Sequence, residues 1–238
     1  MLRFLGIGSA FNTELGNNSA YIKKEESMLL IDCGGTVFHA IQKRGLLESL
    51  KDLTIIITHT HPDHVGSLGE VIFYCYYILN IRPVLLFPNA PLIETYLKVT
   101  GVTKEMYKLQ SKENIKFYEN PLGIQKIEWH EHSHVDTIPA YGFVMYTDEL
   151  NFYYSGDSNE LPRFIIERLE QGDIHHIYQD TCGLDYANNA HLFLGKLSKL
   201  IKPIFRKNVY CMHLDKHIDR EEIKQLGFNI VEKSDEPL

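Results

Sequence analysis

The stretch "ITHTHPDHVG" (57–66) contains three histidines and an aspartate within six positions, directly after a run of β-branched residues. Imidazole nitrogens and carboxylate oxygens are ligands that borderline divalent metal ions accept. His59 and His61 alternate along extended backbone and so point the same way, whereas Asp63 and His64 turn onto the following segment. The spacing therefore predicts ligands for two neighbouring metal ions.

Further polar side chains stand where other predicted strands end. They are Asp32, His134, Asp157, Asp180 and His213. Taken alone, Asp157 in "YSGDS" is more typical of a turn residue, because Asp and Gly favour turns. Strand ends converge in space even when they are distant in sequence, and together these groups supply nitrogen and oxygen ligands suited to two ions.

The elements that must position these residues follow from hydrophobic periodicity and turn signals. We predict an opening β-meander, a helix at "VFHAIQKRGLLESL", a buried strand at "LTIIITH" and one largely buried helix at "HVGSLGEVIFYCYYILN". A strand at "RPVLLFPN" and a polar helix over 90–110 precede a series of strands from "ENIKFYEN" to "DIHHIYQDT". A helix near 190–200, the strand "KNVYCMHLD", the helix "DREEIKQLG" and the strand "NIVEK" close the chain. This order predicts an α/β fold of two sheets packed face to face with helices outside, in a single domain over 1–238.

Composition and charge exclude several classes of protein. The 238 residues carry a net charge of −7 and no cluster of Lys and Arg, which argues against a protein that grips a long nucleic acid. The most apolar stretch, residues 71–81, is too short to span a bilayer, and the N-terminus lacks a signal-peptide pattern. We therefore expect a cytoplasmic protein with no membrane partner. Four scattered cysteines indicate neither a disulfide framework nor a thiolate zinc site.

The motif "THTHPDHVG", preceded by "LLIDCG" and followed by "HVDTIPAYGF", "YSGD" and "CMHLD", resembles the metallo-β-lactamase fold. The resemblance covers nearly the whole chain and lies in the hydrolase branch that includes ribonuclease Z. The opening "FLGIGSAFNTELGNNSAYI" is similar to that branch as well. This resemblance implies an αββα sandwich of two mixed sheets that holds two Zn²⁺ ions, with Mn²⁺ or Fe²⁺ as alternatives set by metal supply.

The resemblance also implies a ligand set. One ion would take His59, His61 and His134, the other would take Asp63, His64 and His213, and Asp157 would bridge them. The run "HEHSH" also contains His130 and His132, but only His134 stands at the family's distance before "YGF". Asp32 resembles the family's aspartate that orients a ligand imidazole, with a plain strand-end turn residue as the alternative.

The resemblance also implies catalytic roles for Asp63 and His191. In "NNAHLFLGKLS", His191 resembles the phosphodiesterase histidine that protonates the leaving oxygen, although an ordinary histidine at a helix N-terminus would have the same pattern. Tyr154 occupies a position where ribonuclease Z has an acid, so carboxylate support for His191 is either missing or supplied by another residue. Asn18 and Ser19 are equally suited to bind a substrate phosphate oxygen and to close the first loop.

Only residues 135–156 separate His134 from Asp157, which leaves no room for the basic tRNA-binding arm of ribonuclease Z. Within this branch, the compact chain most resembles the phage anti-Pycsar phosphodiesterases. This implies hydrolysis of cyclic mononucleotides (cCMP, cUMP, cAMP, cGMP) to 5′-mononucleotides in the host cytoplasm by a homodimer. The predicted helix over 90–110, with Tyr96, Met106 and Tyr107, would serve as a lid or a dimer contact.

Other functions fit the same residues. A ribonuclease Z-like tRNA 3′ endonuclease, or another small phosphodiesterase, would use the same metal ligands. A non-catalytic protein that sequesters nucleotides would keep a metal site for folding alone. Thioesterase or lactonase chemistry would require acyl-binding features that the sequence does not display.

Overall fold

The computed structural model describes residues 2–112, 114–117 and 120–234. The chain divides into two compact units, one of residues 1–113 with 232–238 and the other of residues 114–231. Each unit is built on one mixed β-sheet. Within the described ranges, no helix has the length and apolar character that a membrane span requires.

The first unit contains a six-stranded sheet. Its strands are β1 (Arg3–Gly6), β2 (Ser19–Lys24), β3 (Ser27–Ile31), β4 (Asp52–Ile56), β5 (Val84–Leu86) and β6 (Lys108–Gln110). They lie in chain order across the sheet, antiparallel from β1 to β3 and parallel from β3 to β6. The helices are α1 (Val37–Lys43), α2 (Pro62–Val65), α3 (Leu68–Tyr77) and α4 (Ala90–Val99), with 3₁₀ turns at Thr13–Leu15 and Lys104–Met106.

The apolar run of β3 and most of β4 are buried, as expected of adjacent parallel strands in a covered sheet. Because the two strands run in the same direction, their carboxyl ends share one edge. There the backbone N–H of Asp32 donates to the carbonyl of Ile56 at 2.8 Å. Asp32 adopts a left-handed φ of 60°, a strained conformation for a residue with a side chain, which turns the chain sharply after β3.

The single helix expected after Pro62 is wrong, because the structure has two. α2 ends at Val65, and α3 begins only at Leu68. At the break, the backbone N–H of Ser67 donates to the carbonyl of Cys33 at 3.0 Å, and its hydroxyl donates to the carbonyl of Gly34 at 2.6 Å. These bonds to the loop after β3 replace the hydrogen bonds that would continue the helix.

The polar helix expected over 90–110 extends only to Val99. Asn89 caps α4, its side chain accepting from the N–H of Leu92 at 3.2 Å, and a 3₁₀ turn and β6 occupy the remainder. Met106 and Tyr107 are buried, because β6 pairs with β5 and brings these residues into the core of the unit. Two of the three side chains expected on a lid therefore belong to the core.

The second unit contains a seven-stranded sheet. Its strands are β7 (Asn114–Lys116), β8 (Ile124–His132), β9 (Ala140–Thr147), β10 (Phe152–Tyr154), β11 (His176–Asp180), β12 (Val209–Met212) and β13 (Asn229–Ile230). They lie in chain order, antiparallel from β7 to β10 and parallel from β10 to β13. The helices are α5 (Arg163–Gln171), α6 (Leu194–Leu200) and α7 (Arg220–Gln225), with a 3₁₀ helix at Pro203–Asn208.

This topology brings several strand ends to one edge. β10, β11 and β12 are mutually parallel, and β8 points the same way because two antiparallel pairings separate it from β10. The residues that end or follow these four strands therefore share an edge of the sheet. They include His134, Asp157, Asp180 and His213.

Helix α5, over residues 163–171, is not among the elements predicted from the sequence. A signal was present: Ile165 and Leu169, four positions apart, are its buried residues, and Gly172 ends it in the left-handed conformation. Pro162, which precedes the helix, also suits a helix start.

Candidate metal centre

In the first unit, Asp32 organises the histidine loop. Its Oδ1 accepts the backbone N–H of Thr58 at 2.8 Å, and its Oδ2 accepts the Thr58 hydroxyl at 2.8 Å. The same Oδ2 lies 2.9 Å from Nδ1 of His64. Burial raises the pKa of the Asp32 carboxyl, although the charge and hydrogen bond of His64 and the bonds from Thr58 oppose this. Asp32 thus holds the His64 imidazole in place, and the role of this pair in metal binding stays a prediction.

The four predicted ligands of the first unit lie together. Nε2 of His59 is 3.0 Å from Nδ1 of His61, and Nε2 of His64 is 3.4 Å from Oδ2 of Asp63. The rings of His59 and His64 are tilted with centroids 4.1 Å apart. His59 and His64 are fully buried, Asp63 is nearly so, and His61 is half-buried.

Gly34 allows the loop after β3 to approach this cluster closely. A Cβ at Gly34 would lie 1.9 Å from the carbonyl oxygen and 2.5 Å from the carbonyl carbon of Asp63. Only glycine fits that contact without moving the backbone that carries Asp63.

In the second unit, Asp157 lies between two of the predicted ligands. Its Oδ2 is 3.8 Å from Nε2 of His134, and its Oδ1 is 3.4 Å from Nε2 of His213. All three residues are buried. His213 has a left-handed φ of 56°, and Gly156 has one of 58°, so the backbone turns sharply at the ends of both β12 and β10.

The three histidines of the "HEHSH" run lie in different surroundings. His130 packs its ring on Phe164 at a centroid distance of 4.8 Å. His132 lies beside the Tyr153 hydroxyl, 3.4 Å from its Nδ1, and burial lowers the pKa of His132 to about 4. Among these three, His134 is the one whose ring nitrogen lies beside Asp157.

Asp180, which the strand-end pattern includes but the implied ligand set does not, contacts two of the predicted site residues. Its Oδ2 accepts Nδ1–H of His191 at 2.7 Å and the backbone N–H of Ser158 at 3.0 Å. Its Oδ1 lies 3.3 Å from Nδ1 of His213. The carboxylate support that was missing at Tyr154 is therefore supplied by Asp180. The signal was its position at the end of β11 among parallel strands.

The charge pattern favours a protonated His191. Burial opposes protonation, but the charge of Asp180 and its hydrogen bond raise the pKa of His191 above its usual value. Burial acts to raise the pKa of the Asp180 carboxyl, but the charges of His191 and His213 outweigh it and leave this pKa below its usual value. A quarter of the His191 side chain is exposed, so it can meet a substrate.

The donor set fits metal ions. Nδ1 of His59 lies 3.1 Å from the Thr58 hydroxyl, and Nδ1 of His134 lies 2.9 Å from the carbonyl oxygen of Ala190. Nδ1 of His64 and Nδ1 of His213 lie beside the carboxylates of Asp32 and Asp180. In all four histidines, Nδ1 is therefore next to a protein oxygen, and Nε2 is next to another predicted ligand. Metal-binding histidines typically show this arrangement, because the outer bond fixes the tautomer and the ring orientation.

The second unit by itself also gathers four possible ligands. Asp157, Asp180, His191 and His213 each offer one ligand atom, and these atoms lie within 4.8 Å of one another. The hydrogen bond between His191 and Asp180 occupies one oxygen of this group, which suits positioning of an imidazole better than direct ligation.

Asn18 and Ser19 are both buried. The backbone N–H of Asn18 donates to the carbonyl of Gly8 at 3.0 Å, and the Ser19 hydroxyl donates to the carbonyl of Asp32 at 2.8 Å. The structure thus uses the Ser19 hydroxyl to hold the first loop on the turn after β3.

Comparison with known proteins gave consistent matches. The family model described as "Anti-Pycsar protein Apyc1" matches residues 1–236. The anti-Pycsar protein Apyc1 of Paenibacillus harenae is 31% identical over 241 residues, which cover 97% of this chain and 96% of that protein. The protein of the same description from Bacillus phage vB_BsuM-Goe3 is 43% identical over 95 residues, 39% of this chain and 36% of that protein.

Among solved structures, the metallo-β-lactamase fold protein YhfI from Bacillus subtilis aligns with a TM-score of 0.77 at 17% identity. The alignment covers 98% of this chain and 96% of that one. The metallo-β-lactamase fold expected from the sequence motifs is therefore confirmed.

Proposed function

Because the chain belongs to the anti-Pycsar Apyc1 family, we propose that it is a metal-dependent phosphodiesterase that hydrolyses cyclic mononucleotides to 5′-mononucleotides. The observation that carries the proposal is the largely buried cluster of His59, His61, Asp63 and His64, with the His64 ring held by Asp32. A buried group of imidazoles and carboxylates is costly unless it binds a cation or is fully paired.

The proposed ligands are the ones that the sequence motifs imply. They are His59, His61, Asp63, His64, His134, Asp157 and His213. Zn²⁺ suits this nitrogen and oxygen donor set, and two ions per chain is the stoichiometry we propose. When bound, they would lower the pKa of a water molecule and offset negative charge on the phosphate oxygens.

The residues of the second unit suit the departure of the leaving group. Hydrolysis forms one new P–O bond with the oxygen of water and breaks the bond from phosphorus to the 3′ oxygen, which must gain a proton. His191, held by Asp180 at 2.7 Å and partly exposed, is placed to donate that proton.

The excess of acidic over basic residues in the chain supports a small substrate. A net charge of −7 disfavours binding of a polyanion, and residues 135–156 contain strands β9 and β10 in place of a long basic arm. We propose that the enzyme acts in the host cytoplasm as a counter-defence against cyclic-nucleotide signalling. A homodimer with a contact at 90–110 remains a prediction.

A turnover assay tests this function. Purified protein of measured metal content is incubated with cCMP, cUMP, cAMP and cGMP, and in parallel with a precursor tRNA. We expect 5′-mononucleotides from the cyclic substrates and an intact tRNA. His59→Ala should abolish turnover and lower the metal content, whereas His217→Ala, at an exposed histidine, should change neither.

Two results would contradict the proposal. Cleavage of the precursor tRNA with the cyclic nucleotides left intact would indicate a ribonuclease Z-like endonuclease. Stoichiometric binding of a cyclic nucleotide without product, in protein loaded with metal, would indicate a sequestering protein.

A further inference from the structure

A second feature of the first unit is a positively charged cavity of about 420 Å³ beside β1 and α1. Lys43, Arg44 and Lys233 contribute positive charges to its lining, and Glu14 contributes a negative one. Ligand pockets in proteins span roughly 300–1,000 Å³, so a mononucleotide-sized molecule fits this space. None of its lining residues belongs to the proposed metal or catalytic set.

The charge of this cavity is opposite to that of the whole chain, which carries a net −7. Among the described residues, neither Lys43 nor Lys233 forms an ion pair, and the Arg44 guanidinium donates to the backbone carbonyl of Leu5 at 3.5 Å. Three cations with a single carboxylate among them repel one another, and an anion between them relieves that repulsion.

The residues of the cavity come from segments that the fold ties together. Lys233 forms a parallel bridge with Phe4 in β1, and the N–H of Ser234 donates to the Phe4 carbonyl at 2.9 Å. Lys43 is the last residue of α1. Strand β1 therefore contacts both the segment that carries Lys233 and, through the bond from Arg44 to Leu5, the chain directly after Lys43.

Thr36 gives the cavity a fixed hydroxyl group. The N–H of Asn17 donates to the Thr36 hydroxyl oxygen at 2.8 Å, and the N–H of Thr36 donates to Oδ1 of Asn17 at 2.9 Å. This reciprocal pair fixes the position of the hydroxyl oxygen, so its own hydrogen can donate to a ligand oxygen.

We propose that this cavity binds a phosphomonoester dianion. Three cations against one carboxylate leave two net positive charges, which match the charge of a phosphomonoester better than that of a singly charged diester. Leu5, Ala40 and His39 line the same cavity and offer apolar and ring surface to an organic group on the phosphate. This binding site is independent of the proposed hydrolysis.

Calorimetric titration of the full-length protein tests the site with three probes: inorganic phosphate, 5′-CMP and dimethyl phosphate, a monoanionic diester. We expect both dianions to bind and dimethyl phosphate to bind at least about tenfold more weakly. Tighter binding of 5′-CMP than of inorganic phosphate would identify a nucleotide as the ligand, and equal binding would identify the free ion.

Variants place the binding in this cavity. Lys43→Gln with Lys233→Gln should weaken dianion binding by about tenfold or more. Lys24→Gln with Lys199→Gln removes the same charge from exposed positions outside the cavity and should leave the affinity unchanged. Glu14→Gln, which removes the opposing carboxylate, should tighten binding.

Equal affinity in the wild type and the Lys43/Lys233 double variant would overturn the proposal, because all binding would then occur elsewhere. An equal loss in the Lys24/Lys199 control would also overturn it, since the effect would be one of overall charge. These measurements use binding alone, so they stand or fall separately from cyclic-nucleotide turnover.

Discussion

Nδ1 of His191 lies 2.7 Å from Oδ2 of Asp180, and the other oxygen of that carboxylate lies 3.3 Å from Nδ1 of His213. One buried aspartate thus contacts both the proposed proton donor and a proposed metal ligand. A carboxylate in this position fixes the tautomer of each ring and favours the protonated form of His191.

Asp180→Asn should lower kcat for cyclic-nucleotide hydrolysis by about 10²-fold or more, because general acid catalysis contributes about that much. The pKa of His191, raised by Asp180, should fall in the variant, so the acid form is lost at lower pH. The alkaline limb of the kcat profile should then move to lower pH. Asp185→Asn, at an exposed aspartate paired with Lys196, is the matched control. An unchanged pH profile would show that Asp180 does not position His191.

Asp32→Ala should weaken metal binding by about 10- to 100-fold, the usual effect of removing the partner of a ligating histidine. The change frees Nδ1 of His64 and leaves the N–H and hydroxyl of Thr58 without their acceptor. Metal affinity measured by competition with a chromogenic chelator checks this expectation. Asp52→Ala, at an exposed position of β4, should bind metal like the wild type. If Asp32→Ala bound metal as tightly as the wild type, Asp32 would serve only as a turn residue.

Gly34→Ala should destabilise the fold by about 2 kcal/mol or more, since the added Cβ would overlap the carbonyl group of Asp63. Gly69→Ala in α3 is the matched control, because its Cβ would meet side chains at 3.6 Å, an ordinary contact distance. Alanine there should be neutral or stabilising by up to about 1 kcal/mol. Urea unfolding of both variants measures the difference, and equal stabilities would show that the backbone at Asp63 moves freely.

Glu128 should contribute a pH-dependent stabilisation in the second unit. Burial alone would raise the pKa of its carboxyl, but the hydrogen bonds and charges of Lys126, Tyr146 and Arg168 lower this pKa to about 2. A depressed carboxyl pKa stabilises the fold above the unfolded-state pKa, and the contribution disappears as the pH falls through the folded value.

Glu128→Gln should therefore reduce the free energy of unfolding at pH 7 by about 1 kcal/mol or less, as for a partly exposed network of ion pairs. Near pH 2 the variant and the wild type should converge. Chemical denaturation across this pH range makes the comparison, with Glu149→Gln as a control at an exposed residue. A difference that persists at low pH would assign the effect to packing instead of charge.

The sequence alone was enough to predict the local arrangement of the possible metal ligands and to identify the family. In residues 59–64, the side chains that can meet are decided by their spacing along an extended segment and by the turn that Pro62 begins. Both features follow from covalent geometry and backbone periodicity, which are local to the sequence. The same local signals predicted most strands, because short apolar runs bounded by turn residues have few other solutions.

Tertiary structure decided what local signals could not. The helix after Pro62 breaks because Ser67 bonds to Cys33, a residue 34 positions away that no helical pattern includes. The carboxylate partner of His191 was settled in the same way, since parallel pairing of β10, β11 and β12 places Asp180 beside His213 and the loop that carries His191. Contacts between residues distant in sequence depend on which strands become neighbours, and the pairing of whole strands sets that choice.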